Sequence, residues 1–137
     1  MMYSCMFLGQ FKPAMVAAEE MCATLSRDVL DVKDKPYLAM TMEGYYSMMM
    51  HVLIRFGKWQ QIIDTPMPDD PRLYCVSTSM HHYAKGVAHA ALGQSNEAEV
   101  QREMFQASLS RIPEGRKFFN NPALDVLGIA EIGRAHV

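Results

Sequence analysis

Cys75, His82 and His89 lie seven residues apart, so a helix running through them carries a thiol and two imidazoles on one face. Those groups are a zinc donor set, but zinc holds its ligands at about 2.0–2.3 Å. Seven helical residues span about 10.5 Å, whereas donors on one helix must be three or four apart to share an ion. His81 and His82 are neighbours that diverge by about 100° around a helix and cannot chelate together. These histidines are therefore expected at a helix interface, each with a hydrogen bond and without a metal. Cys75 as a nucleophile would need a histidine base and an orienting group close in space, which sequence spacing does not show. The chain has no glycine-rich phosphate loop, no His-Glu-x-x-His and no Gly-x-Ser-x-Gly. Asp69-Asp70, between Pro68 and Pro71, reads as a solvated turn and helix cap, not as a carboxylate pair for acid–base work. Arg55 and Lys58 beside Trp59 suggest cation–π packing, with Trp59 in the core. The expectation is a protein without catalytic activity and without a cofactor. The alternatives are a metal- or thiol-dependent enzyme fragment, or the helical docking region of a larger redox polypeptide.

Composition narrows the class further. The chain has 137 residues, 50% hydrophobic and 20% charged, with a formal net charge of −2. Such a chain folds as one ordinary domain, and the mixed charge offers no basic footprint for nucleic acid. No apolar run approaches the ~20 residues of a membrane span. The apolar start, Met1 to Gly9, lacks a basic leader and a small-residue cleavage site. Three scattered cysteines, Cys5, Cys22 and Cys75, favour free thiols in a reducing compartment, hence a cytoplasmic location. Thirteen methionines, with a run at Met48-Met49-Met50, fit either an adaptable groove or a soft-metal site, or plain core filling at helical spacing. Core filling is the expectation.

The elements that must position these residues are helices, with no strand pattern anywhere. Periodicity predicts about seven: Met1 to Leu8, Pro13 to Asp28, Pro36 to Phe56, Trp59 to Thr65, Pro71 or Arg72 to Leu92, Ser95 or Asn96 to Arg111, and Pro122 to Ile132. Pro13 is expected at a first helical position, Ser95 or Asn96 as a cap, and Asn121-Pro122 as a helix start. Asp28 to Lys35 reads as a charged connector. Pro66, Pro68 and Pro71 enforce an extended link.

One phrase recurs. Phe7-Leu8-Gly9-Gln10-Phe11, Arg55-Phe56-Gly57-Lys58-Trp59 and Ala91-Leu92-Gly93-Gln94-Ser95 each join an apolar helix end, a glycine, a polar residue and a second helix. Ala14, Ile62 and Ala98 then follow five residues after each glycine. This resembles the tetratricopeptide repeat, with small residues Gly86, Ala88 and Ala90 before the last turn. His82 and Lys85 stand where that family has tryptophan and leucine. The turn glycines are 48 and then 36 residues apart, against a family period of 34. The chain looks most like divergent bacterial-type members. The resemblance implies an all-α stack of antiparallel helical hairpins over residues 1–132, in approximate units 1–35, 36–70, 71–113 and a partial 121–132. Both ends look cut. Residues 131–137, Glu-Ile-Gly-Arg-Ala-His-Val, resemble the conceptual translation of a sequencing-library adapter, and 133–137 are taken as a non-native tail.

Such arrays bind protein or peptide segments on the face lined by the first helix of each hairpin. Repeat phase carries that role onto Tyr3, Met6 and Phe7, then Ser47, His51 and Arg55, then Met80, Tyr83 and Val87. Their mixed aromatic, methionine and sparse cationic character suits an amphipathic helix or extended segment better than an acidic tail. Severed repeat ends would also favour self-association.

Overall fold

The computed structural model describes residues 1–134, with side chains through Glu131. The fold is all-α. It begins with α1 (Met2–Phe7) and α2 (Phe11–Thr24), followed by the single turn α3 (Arg27–Leu30). Next come α4 (Tyr37–Met42), a 3₁₀ segment (Glu43–Ser47) and α5 (Met48–Arg55) in unbroken succession. Short α6 (Trp59–Asp64) leads into the long α7 (Cys75–Ala91) and α8 (Ser95–Leu109). A small hairpin, β1 (Lys117–Phe118) with β2 (Asn121–Pro122), precedes α9 (Ala123–Arg134). Among the described residues no helix is long and apolar enough to cross a membrane.

The recurring phrase is a recurring turn. Leu8, Phe56 and Leu92 close α1, α5 and α7 at φ −80°, −101° and −90°, with ψ 2°, 10° and 3°. The next residue is glycine in the left-handed region each time: Gly9 at φ 69°, Gly57 at 62° and Gly93 at 73°. Gln10 N–H then donates to Cys5 O at 2.8 Å, Lys58 to Leu53 O at 2.9 Å and Gln94 to His89 O at 2.9 Å. Gly9, Gly57 and Gly93 donate to Met6, Ile54 and Ala90 carbonyls at 3.2, 3.1 and 3.0 Å. Together these bonds are the Schellman closure, which satisfies orphan carbonyls and needs a residue free of a Cβ penalty. The first amide bond of each following helix falls on Ala14, Ile62 and Ala98. The three-residue connections fold α2 back on α1, α6 on α5 and α8 on α7, and each pair is in contact.

Neighbouring pairs also touch: α2 packs on α5, α6 on α7, and α7 on α9. The main core joins Met2, Cys5 and Met6 of α1, Ala14 and Ala18 of α2, Met48 and Val52 of α5, and Val76 and Met80 of α7. Cys75, Phe105, Ile112, Phe118, Ala123 and Leu127 complete it. A second cluster packs Met50 and Leu53 against Ile62, Ala84 and Ala88, with half-buried Trp59 at its edge. Met48 and Met50 are thus core residues.

Several expected boundaries are corrected. Pro36 to Phe56 is not one helix, because it tightens to 3₁₀ across Glu43–Ser47. Two distant demands act there: Glu43 serves α7, and Gly44 receives the ring of Phe118, as shown below. The connector expected at Asp28 to Lys35 begins inside α3. Pro13 is the third residue of α2, still among the amides that have no helical partner. Neither Ser95 nor Asn96 caps α8; Gln94 takes that position because the Schellman turn fixes it. Asn121-Pro122 forms a strand instead of opening a helix, pairing Asn121 with Phe118 and Pro122 with Lys117. Of the tail taken as non-native, residues 135–137 lie outside the described residues.

Candidate functional site

The face assigned by repeat phase is partly open and partly covered by the chain itself. Phe7 is 82% exposed and Tyr3 41%, and Arg55 is exposed at the end of α5. Tyr3 donates its hydroxyl to Met48 Sδ at 3.7 Å, which ties α1 to α5. Tyr83 and Val87 are half-buried, with the Tyr83 ring 6.3 Å from that of Phe105. Ser47 and Met80 are interior, and Met6 joins the core as well. Ser47 Oγ donates to Gly44 O at 2.8 Å within its own 3₁₀ turn. His51 is half-buried, its ring 6.1 Å from Phe118, and its Nε2 is buried without a hydrogen-bond partner. These nine residues do not make one continuous exposed surface. The open members are Tyr3, Phe7 and Arg55, with Tyr83 and Val87 half-open.

The segment between α8 and α9 meets His51 through the edge-on Phe118 ring. Phe118 is 1% exposed and lies over Gly44, where an added Cβ would come 2.6 Å from its Cδ2. Gly44 is glycine to admit this ring. Phe119 stacks on Phe118 at 4.6 Å and meets Tyr45 edge-on at 5.0 Å. Its φ of 56° occupies the first position of the two-residue hairpin turn, where glycine is preferred. Buried Arg116 donates through Nη1 to Ala39 O, and its Nε has no hydrogen-bond partner. Sequence reasoning missed this strap because two-residue strands show no alternation. The available signals were the Phe118-Phe119 pair and the lone Gly44 inside a helical pattern.

A second missed residue is Glu43, fully buried in a chain segment that reads as helix. Its carboxylate accepts from Ser77 N–H at 2.8 Å and Val76 N–H at 3.2 Å. Ser77 Oγ donates back to Glu43 O at 2.9 Å. Glu43 thereby supplies α7 with the capping oxygen that Tyr74, at its N-cap, does not. Burial pushes the Glu43 carboxyl upward, opposed by the Ser77 bond and the charge of Arg116. Cys75 Sγ lies 4.0 Å from Glu43 Oε2, and burial with that carboxylate raises the thiol, away from thiolate character.

The histidines of α7 point apart. His81 Nδ1 is 2.7 Å from Ser77 O, His82 Nδ1 is 2.9 Å from Gln101 Oε1, and His89 Nδ1 is 2.6 Å from Gln94 Oε1. Burial lowers His81 to about 4, and it stays neutral at pH 7. Among the described residues no three His, Cys, Asp or Glu side chains gather as metal ligands. Asp70 accepts from Arg72 and Leu73 N–H at 3.0 and 3.2 Å and pairs with Arg27 at 2.5 Å. Those two amides, more than Arg27, hold its carboxyl below the usual range. Among the described residues the cation over a ring is Lys58 on Phe11, at 4.9 Å, and not the expected contact with Trp59.

No family model, curated protein or solved structure matches the chain.

Proposed function

We propose that this chain is a tetratricopeptide-like helical scaffold without catalysis of its own, which binds a protein or peptide segment. The segment would lie along the side of α1, α5 and α7 that carries Tyr3, Phe7, Arg55, Tyr83 and Val87. The observation that carries this reading is the same Schellman closure at Gly9, Gly57 and Gly93, each folding a helix back on its predecessor. Repetition of one hairpin device, with each hairpin touching the next, is how repeat proteins build extended binding surfaces. Phe7 and Leu8, 82% and 72% exposed, supply apolar area at the end of α1, and Arg55 supplies an exposed cation at the end of α5. That mixture suits an extended or amphipathic segment.

Selection of a displayed peptide library on the full chain tests this. Arg55→Glu and Phe7→Asp are the informative variants because both side chains are exposed, so the fold survives the change. Selected peptides should lose about ten-fold or more in affinity for the double variant, roughly 1.4 kcal/mol. Equal binding to both chains would remove this face from the proposal.

A further inference from the structure

We infer that Arg116–Phe119 is an internal occupant of the binding side, and that the same slot accepts a partner segment of like chemistry. That chemistry is an arginine, a spacer and two adjacent aromatic rings. The inference rests on the scaffold reading and adds to it the class of partner and a built-in competitor.

Four observations lead there. The strap meets His51, a member of the face that repeat phase assigns to partners, through the Phe118 ring, edge-on at 6.1 Å. Its side chains divide the work as a docked peptide's would: Phe118 fills the slot over Gly44, Phe119 caps Tyr45, Arg116 reaches Ala39 O, and Lys117 is exposed as a spacer. Among the described residues its backbone hydrogen bonds stay within residues 113–123: β1 pairs with β2, Arg116 N–H donates to Pro113 O at 3.1 Å, and Ala123 N–H donates to Arg116 O at 2.9 Å. The fit is also imperfect. Phe119 sits at φ 56°, a value the tight turn imposes, and two buried nitrogens, His51 Nε2 and Arg116 Nε, have no hydrogen-bond partner. A segment arriving from another molecule escapes the turn and can bring an acceptor to His51 Nε2, which stays behind when the strap leaves. The strap therefore lowers apparent affinity for such a partner by the fraction of time it is seated.

The experiment uses a fluorescent peptide spanning residues 112–122 and the full chain, wild type and Phe118→Ala. Fluorescence anisotropy should show the peptide binding the variant about ten-fold or more tightly than wild type. A peptide carrying Phe118→Ala should bind neither chain. Amide exchange on the wild type needs no variant: Arg116 and Ala123 amides should exchange about 100-fold faster than those of Met80 to Ala84 in α7. Exchange of the strap together with α7, or no gain of peptide binding by a folded Phe118→Ala chain, overturns the inference. A wild-type dimer that disappears in Phe118→Ala would assign the slot to a second copy and overturn the foreign partner. If strap peptide binding fails while library peptides still depend on Arg55 and Phe7, the scaffold reading stands and only the strap inference falls.

Discussion

Gly44 and His81 show how single positions answer to distant parts of the chain. Gly44 has no side chain because the Phe118 ring occupies that space, 2.6 Å from where a Cβ would stand. Gly44→Ala must push the ring aside, and overpacking of this kind costs about 1–3 kcal/mol. Urea unfolding should show that loss, and an unchanged midpoint would mean the ring does not seat there. His81 sets an acid response. The unfolded chain takes a proton near 6.5, whereas folded His81 stays neutral down to about 4. Between those values the unfolded state holds more protons, so stability falls as pH drops. His51 is shifted in the same direction, whereas Glu43, shifted upward, opposes both. The His81 contribution reaches at most about 3 kcal/mol. Urea midpoints at pH 7, 6 and 5 should decline, and less steeply in His81→Leu. A His81→Leu chain with the wild-type slope would assign the acid response elsewhere.

At the scale of elements, the three closures were legible because their chemistry is local. A left-handed residue followed by a helix start asks for glycine, and Gly9, Gly57 and Gly93 supply it at φ 69°, 62° and 73°. No atom lies within 4 Å of an added Cβ at Gly9 or Gly93, so Ala there tests the backbone alone. Each substitution should cost roughly 1–2 kcal/mol. Near-equal losses at the two sites support one device used twice, while a loss at only one would separate them. The split of the third predicted helix was not legible, because its causes lie far away in sequence. Glu43 bends toward the amides of Val76 and Ser77, and Gly44 toward Phe118. Glu43→Ala leaves those two buried amides orphaned, at about 1–3 kcal/mol each. Circular dichroism at moderate urea should show α7 weakened along with the whole transition. The strap escaped notice for a related reason: strands of two residues carry no period to read.

For the whole molecule, helical periodicity and turn chemistry foretold an all-α fold; besides contacts between successive helices, the segment after α8 folds back on α4 and the 3₁₀ segment. The proposed binding face was legible only in outline. Repeat phase assigns Ser47, at the end of the 3₁₀ segment, and His51 and Arg55 of α5 to one side, but it cannot tell which of them the chain covers. Ser47 is interior, His51 is half-buried and meets Phe118 edge-on, and Arg55 is open. The central claim is that the open remainder of that side receives a peptide. Its most direct test is a nitrogen-15 amide spectrum of the full chain titrated with a library-selected peptide. The account predicts shifts concentrated at Tyr3, Phe7, Arg55, Tyr83 and Val87. Shifts gathered instead on the outer surface of α8, at Val100 and Met104, would contradict it.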